Sequence, residues 1–342
     1  MNLSLRAQRH GVSENPCGSL SFQPSPSAKF PFPFRLAHPF HGSAVQTLRV
    51  EIRYLLILVG VGVLLVLMQV NQRLASPVLA IADRWLRWFV FSFGAAQTVH
   101  DFQWIDRPYW VLVALFFTLW FLIGTLYNWL LISATSLSPL PLFPRYAVNA
   151  GGDEWPVQAR FLKLREWLRA EGFQKVQALK AEIGGGIYLR VSVYQNAEAT
   201  QRVQVAFIPQ ANGAISVCYA VTSRAADGAY FLTDNLYTPF AGFYPEDWFV
   251  ERAPWRRSLA GLIARHRARL AAAGIEPVPF TREPLDEMNA ASHELDRLNT
   301  ELGFLHPHAE REELGKITHE GRYRVWKEIW MLNYLGRAAK YE

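Results

Sequence analysis

The stretch IYLRVSVYQNAEATQRVQVAFIPQANGAISVCYAVT, residues 187–222, alternates apolar and polar residues in three successive segments, and that alternation decides the class of fold. Ile187, Leu189, Val191 and Val193 share one side of an extended chain, as do Val203, Val205 and Phe207, and then Ile215, Val217, Tyr219 and Val221. A period of two belongs to β-strands, whose successive side chains point to opposite faces. Arg190, Ser192, Arg202, Gln204, Ser216 and Thr222 fill the intervening positions, so the segments predict an antiparallel meander with one apolar face and one wet face. Turn residues agree with this. Gly184–Gly186 precedes the first strand, Asn212-Gly213 joins the second to the third, and Asp227-Gly228 leads into AYFLTD. A further strand is expected at about Lys175–Ile183. The triple glycine reads as a turn, because it lacks both the Lys-Ser/Thr of a phosphate loop and the glycine spacing of a dinucleotide site.

Helices flank the meander. Upstream, Val157, Phe161, Leu164 and Leu168 recur at helical spacing over about Glu154–Ala170, with Asp153 as cap and Gly172 as terminator. Downstream, DNLYTPFAGFYPEDWFVERAP (234–254) reads as an irregular aromatic loop, in which Phe243, Tyr244 and Trp248 either serve a partner or fold back with Phe240 and Phe249 on the open sheet edge. The helix after Pro254 has an apolar stripe of Leu259, Leu262, Ile263 and Leu270 beside Arg256, Arg257, Arg265, Arg267 and Arg269. Three partners suit it: an acidic helix of this same chain, anionic lipid headgroups, or nucleic acid. The first is favoured, since residues 282–313 hold nine acids against three basic residues along an apolar face. Nucleic acid is disfavoured, because no basic aromatic motif or recognition-helix context accompanies the arginines. The last stretch, ITHEGRYRVWKEIWMLNYLGR, is a helix whose Trp326 and Trp330 lie near Arg322 and Arg324; it docks on the core, lies on the membrane or grips a partner.

Towards the N-terminus the pattern changes. YLLILVGVGVLLVLMQV (Tyr54–Val70) and YWVLVALFFTLWFLIGTLYNWLLI (Tyr109–Ile132) carry no charge and are long enough to cross a bilayer core. Between them, PVLAIADRWLRWFVFSFG (Pro77–Gly94) places Asp83, Arg84 and Arg87 on one side of a helix, with Trp85 and Trp88 among the apolar remainder. Charges are costly in mid-bilayer, so the segment is read as an interfacial helix; a re-entrant helix or a third span is the alternative. The chain is thus expected to be an α+β membrane protein with a disordered basic tail (1–50), a membrane domain (51–135), a linker (136–153), an α+β soluble domain (154–280) and a C-terminal helical segment (281–342).

Charge and cysteine content narrow the function. Cys17 and Cys218 are the only cysteines among 342 residues, which excludes a disulfide framework and a four-thiolate metal site. The net charge of +6 comes from the front of the chain, where residues 1–53 hold six basic residues against two acids. Under the positive-inside rule the N-terminus is cytoplasmic, and two spans return the soluble domain to that side of a bacterial-type inner membrane; a third span inverts this. No nucleophile elbow, kinase signature or radical-cofactor cysteine set occurs, and no cofactor is expected. Uncharged spans disfavour transport. The expected function is a membrane-anchored accessory or scaffolding protein that binds the lipid bilayer surface and a protein partner or a second copy of itself. The rival is a membrane-bound hydrolase or metal enzyme using His293, His306, His308 and His319, with His306, His308 and Glu310 as candidate ligands.

Overall fold

Residues 44–74, 76–152, 155–184, 186–209 and 215–339 are described by the computed structural model. The chain divides into residues 1–48, of which only the start of the first helix is described, and a unit of residues 49–342 that holds everything discussed below. Residues 1–43 of the expected tail, the Asp153 cap, the Asn212-Gly213 turn and Cys17 lie outside the described residues.

Three long helices come first: α1 (Ala44–Leu74), α2 (Pro77–Asp101) and α3 (Tyr109–Leu137). Among the described residues, Glu51–Gln72 and Tyr109–Leu137 are long and apolar enough to cross a membrane. The middle segment is longer than expected. Ser76 caps α2, accepting from the Leu79 amide, and Pro77 supplies the preset φ of a first turn; the helix then runs on past Gly94 to Asp101. It does not stand alone as an interfacial helix, because it packs along α3. Trp88 is 5% exposed, its ring lies 4.4 Å from that of Phe117, and its indole N–H donates to the Phe117 carbonyl at 2.9 Å.

Helix polarity follows from the end contacts. Tyr54 on α1 bonds Asp101 at the end of α2, and Arg53 stands 4.3 Å over the ring of Tyr109 at the start of α3. Further along, a Cβ on Gly60 of α1 would stand 3.0 Å from Val90 of α2. At the opposite end, Arg257 of the soluble part donates to the Leu74 carbonyl at 3.1 Å, and the Ser136 hydroxyl accepts from the Ile317 amide at 2.9 Å. So α1 and α3 run in one direction and α2 runs back between them.

The soluble part is a mostly antiparallel sheet. Its strands β1 (Tyr146–Val148), β2 (Gln174–Gly184), β3 (Ile187–Gln195), β4 (Arg202–Pro209), β5 (Ile215–Ala225) and β6 (Tyr230–Asp234) lie side by side in chain order. The seventh, β7 (Trp248–Arg252), joins β6 in parallel, and β8 (Pro277–Val278) pairs with β5. Two of these strands correct the sequence reading. Tyr146–Val148 lies in the expected linker yet pairs with β2, and the aromatic loop supplies β7 as the sheet's edge. The first helix of the domain, α4 (Ala159–Ala170), starts later than expected, behind Gln158.

Neither face of the sheet is wet. On one, Tyr194, Val203, Val205, Phe207, Tyr219 and Val221 meet α4 and α5 (Leu259–Ala272). On the other, Leu179, Val191 and Val193 meet Met288 of α6 (Pro284–Glu301). The register explains the error: Tyr194 lies opposite Val203 and Val193 opposite Gln204, so the apolar set of β3 faces away from that of β4. Alternation within a strand carries no information about which face its neighbour's apolar set takes.

Helices α5 and α6 therefore lie on opposite faces, and the expected pairing of basic with acidic helix does not form. α6 is met instead by arginines of the sheet. Glu287, buried, pairs with Arg202 and, at 3.0 Å, with Arg224. After α6 come α7 (Arg311–Leu314) and α8 (His319–Trp330), which continues through Met331–Leu335 as a π-helical turn. This segment docks on the long helices: Ile132 of α3 shares a cluster with Phe304, Leu305 and Ile317, and Trp326 and Ile329 of α8 pack against it.

Candidate ligand-binding cleft

A deep concavity lies where the long helices meet the sheet domain, and it measures about 990 Å³. One wall comes from the last turns of α1 and the first turns of α2, with Met68, Asn71, Ala80, Asp83 and Arg84. The other comes from α4, the end of β5 nearest Ile215, and the start of α5. Each wall has a local cause. Ser258 caps α5, accepting from the Gly261 amide at 3.3 Å, which brings Arg257 to the rim. On α4, Phe161 and Leu168 are buried against the sheet, which leaves Arg160 and Lys163 exposed on the cleft side.

The lining is amphipathic. Phe161, Leu164, Trp167, Ile215 and Leu259 supply apolar surface, while Arg84, Arg160, Lys163 and Arg257 face one acid, Asp83. All three lining arginines are held by backbone carbonyls: Arg160 donates to Ile215 at 2.9 Å, Arg84 to Asn333 at 3.4 Å and Arg257 to Leu74 at 3.1 Å. Asp83 pairs with Arg87 through Oδ2, whereas its Oδ1 is buried without a hydrogen-bond partner among the described residues. Tyr237, also in the lining, donates to the Leu332 carbonyl at 2.5 Å. Burial raises its phenol above the ordinary range, against the opposing effect of Arg84. Burial likewise pushes the Cys218 thiol up to about 12, so the one cysteine in the lining is not a thiolate near neutrality. Among the described residues the lining has no histidine and no glutamate.

The residues singled out from sequence are distributed as follows. Of the five arginines, only Arg257 lines this cleft. Arg256, exposed, lines a shallower depression with Arg265 and Arg269. Arg265 pairs with Glu251, Arg267 donates to Gln201 at 3.2 Å, and Arg269 to the Leu232 carbonyl at 2.8 Å and the Phe249 carbonyl at 2.6 Å. The arginine stripe thus staples α5 to the sheet. The loop aromatics fold back: Tyr244 stacks near Trp248, whose ring lies 4.9 Å from Tyr230 of β6, and Arg324 stands 4.0 Å over Phe243. The tryptophans of α2 and of the C-terminal segment meet each other. Trp330 lies 5.8 Å from Trp88 and 4.9 Å from Phe121, Trp326 lies 6.4 Å from Trp330, and Trp85 donates to the Tyr334 carbonyl at 2.9 Å.

The histidine group does not converge. His308 bonds Asp296 at 2.9 Å, His306 stands 3.7 Å from Glu310, His319 lies against the ring of Trp129, and exposed His293 is on α6. Arg311 stands among them, donating to Asp296 at 3.1 Å and to the His306 carbonyl at 2.8 Å. Among the described residues, no three His, Cys, Asp or Glu side chains are placed to hold a metal ion.

A histidine not singled out from sequence, His266, is fully buried, with Nδ1 2.9 Å from the Thr233 hydroxyl and Nε2 3.1 Å from that of Ser223. Burial, with Arg269 and Arg267 nearby, lowers it to about 4. Ser223 is equally enclosed, so this Ser–His contact serves packing and offers no route to substrate. Sequence reasoning also missed the meeting of Arg160 and Lys163 with Asp83 and Arg84. Nearly eighty residues separate the two groups, and no local signal joins them. Comparison of the chain with protein families, with curated proteins and with solved structures found no match in any of the three.

Proposed function

We propose that the chain is an integral membrane protein of accessory type, without catalytic activity, that holds an α+β domain against the bilayer surface and binds there. The observation that carries this reading is the outward apolar surface of α1 and α3. Leu55, Leu56, Leu58 and Val66 are 60–67% exposed, and Leu126 and Leu130 are 60% exposed. A core helix of a water-soluble protein hides such residues; lipid covers them without cost. The docked C-terminal segment adds a second support, since it ties the domain to the helices by a large aromatic contact.

The sites favour the membrane surface over a protein partner as the thing bound. Trp326 and Trp330, which motivated a protein partner, pack on each other and on Trp88, whereas Arg257, Arg160 and Lys163 stand in the open cleft beside the helix ends. The hydrolase or metal-enzyme alternative loses its motivation with the divergent histidines. Helix polarity also bears on sidedness. With α1 and α3 parallel, the Arg53 end of α1 lies at the far end of the helices from the domain, and an α2 that crosses as a third span would, under the positive-inside rule, put the domain on the non-cytoplasmic side, the inverse of the two-span expectation.

Alkaline carbonate extraction of native membranes tests the core of the proposal. The protein should stay in the pellet and require detergent for release; recovery in the supernatant would refute membrane integration. Purification in mild detergent should yield the chain without a stoichiometric protein partner, and a partner retained through two orthogonal columns would restore the scaffolding reading.

A further inference from the structure

We infer that the cleft between the helix ends and the sheet domain binds a phospholipid whose headgroup carries both a phosphate and a protonated primary amine, an aminophospholipid of the ethanolamine type. The inference rests on the membrane reading above and names what the membrane-facing cleft takes from the bilayer.

Size and position come first. A space of about 990 Å³ is at the upper end for small-ligand sites, ample for a headgroup and glycerol backbone. It opens between the last turn of α1 and the first turns of α2, where an apolar stretch ends and polar Asn71, Gln72 and Ser76 begin. That is the level at which a phospholipid changes from acyl chain to headgroup.

Charge selects the phosphate. Arg84, Arg160, Lys163 and Arg257 against Asp83 leave the described residues of the lining with an excess of three positive charges. Guanidinium groups match phosphate oxygens in geometry as well as charge, and the carbonyls that hold Arg84, Arg160 and Arg257 leave other N–H donors for a ligand.

Asp83 selects the amine. Its side chain is 7% exposed, Arg87 satisfies one carboxylate oxygen, and the other is buried with nothing to accept from among the described residues. Such an oxygen is costly, and a phosphate cannot relieve it. An ammonium with N–H donors does. A choline headgroup has the charge but no N–H, and a glycerol headgroup offers only neutral hydroxyls. The cleft therefore presents an acceptor on the α2 wall and phosphate donors around it, the two ends of a phosphoethanolamine zwitterion.

The test uses the full-length protein in mild detergent, titrated with dioleoyl-phosphatidylethanolamine, -phosphatidylcholine and -phosphatidylglycerol and read by native mass spectrometry. The ethanolamine lipid should bind about tenfold more tightly than the choline lipid, the worth of one charge-assisted hydrogen bond. Asp83→Asn should abolish that preference while keeping the glycerol lipid's affinity. Arg257→Glu, a change at an exposed rim position, should weaken all three lipids alike, and it reports even where the α2 variant fails to fold. Equal binding of ethanolamine and choline lipids, or unchanged binding in Arg257→Glu, would overturn the assignment. So would free phosphoethanolamine or inorganic phosphate binding as tightly as the lipid, which would make the site one for a soluble anion. Retention in the carbonate pellet without lipid selectivity defeats this inference alone; release from the pellet defeats the membrane reading beneath it.

Discussion

Glu287 shows how a single side chain settles one face of the sheet. It reaches from α6 to Arg202, whose side chain is 4% exposed, and to Arg224 at the rim, and Arg202 also donates to the Arg282 carbonyl. A buried pair contributes little net stability when intact, but breaking it strands a charge. Glu287→Ala should cost about 3–5 kcal/mol in chemical denaturation of the detergent-solubilised protein; a loss under about 1 kcal/mol would mean that water reaches Arg202. His266 gives a second case, with a sign that can be worked out. Its folded value, about 4, lies below the unfolded one near 6.5, so the unfolded chain takes up the proton first as pH falls. The stability it supports is complete above about 6.5 and is lost as pH drops from there towards 4, by about 3 kcal/mol at most. Asp234 acts the other way. Burial raises it to about 6 despite Arg252, so its contribution declines as pH rises from about 4 to 6. His266→Gln should therefore remove the acid-side loss, leaving melting temperature flat or falling as pH rises from 4 to 6; a persistent rise would show that another group is responsible. Neither residue was legible as buried in the sequence, since His266 sits in an arginine-rich run and Arg202 alternates with valines as a wet-face residue would.

At the scale of elements, α6 is a stitch between distant segments. The Asn289 side chain exchanges two hydrogen bonds with the backbone of Tyr146, and the Asn299 side chain does the same with Phe243, accepting at 2.7 Å and donating at 2.9 Å. Each amide acts as one residue of an extra strand, holding β1 at one end of the helix and the aromatic loop at the other. Asn299 is fully buried, so Asn299→Ala leaves two backbone groups unpaired and should cost about 2 kcal/mol or more. Limited proteolysis gives an independent readout, with faster nicking within residues 235–247; an unchanged rate would mean the loop is held by its own aromatics. Gly242 belongs to the same joint, because a Cβ there would collide with the Asn299 carboxamide. The sequence showed α6 as an acidic amphipathic helix and α5 as a basic one, correctly in each case. What it did not show is that a sheet stands between them, so Glu287 of α6 is met by Arg202 and Arg224, and Arg265 and Arg269 of α5 by Glu251 and strand carbonyls, instead of by each other.

Over the whole molecule, the helices α2 and α3 and the C-terminal segment are interdependent. Trp330 packs against Trp88 and Phe121 and stacks 4.5 Å from Tyr334, while Gly124 leaves α3 open to the Trp330 ring. Deleting residues 317–342 should therefore expose the aromatic face of α2 and α3 and lower the melting temperature of the solubilised protein; an unaltered melt would show the contact to be idle. Topology is checked by fusing reporters of opposite compartment specificity to the two termini. Opposite responses are expected, with the C-terminal one active outside the cytoplasm, and matching responses would exclude the α1–α2–α3 polarity as a set of three crossings. The sequence by itself determined the apolar helices, the period of every central strand, the C-terminal end of α5 and the absence of a cysteine framework, because each depends on spacing within about twenty residues; α5 starts four residues later than its arginine run suggested, behind Ser258. Only the tertiary structure decided the register that turns β3 over relative to β4, the return course of α2, the docking of the C-terminal helix and the cleft that joins Asp83 to Arg257. Those depend on which surfaces meet across more than a hundred residues of chain, and periodicity within a segment is blind to its partner.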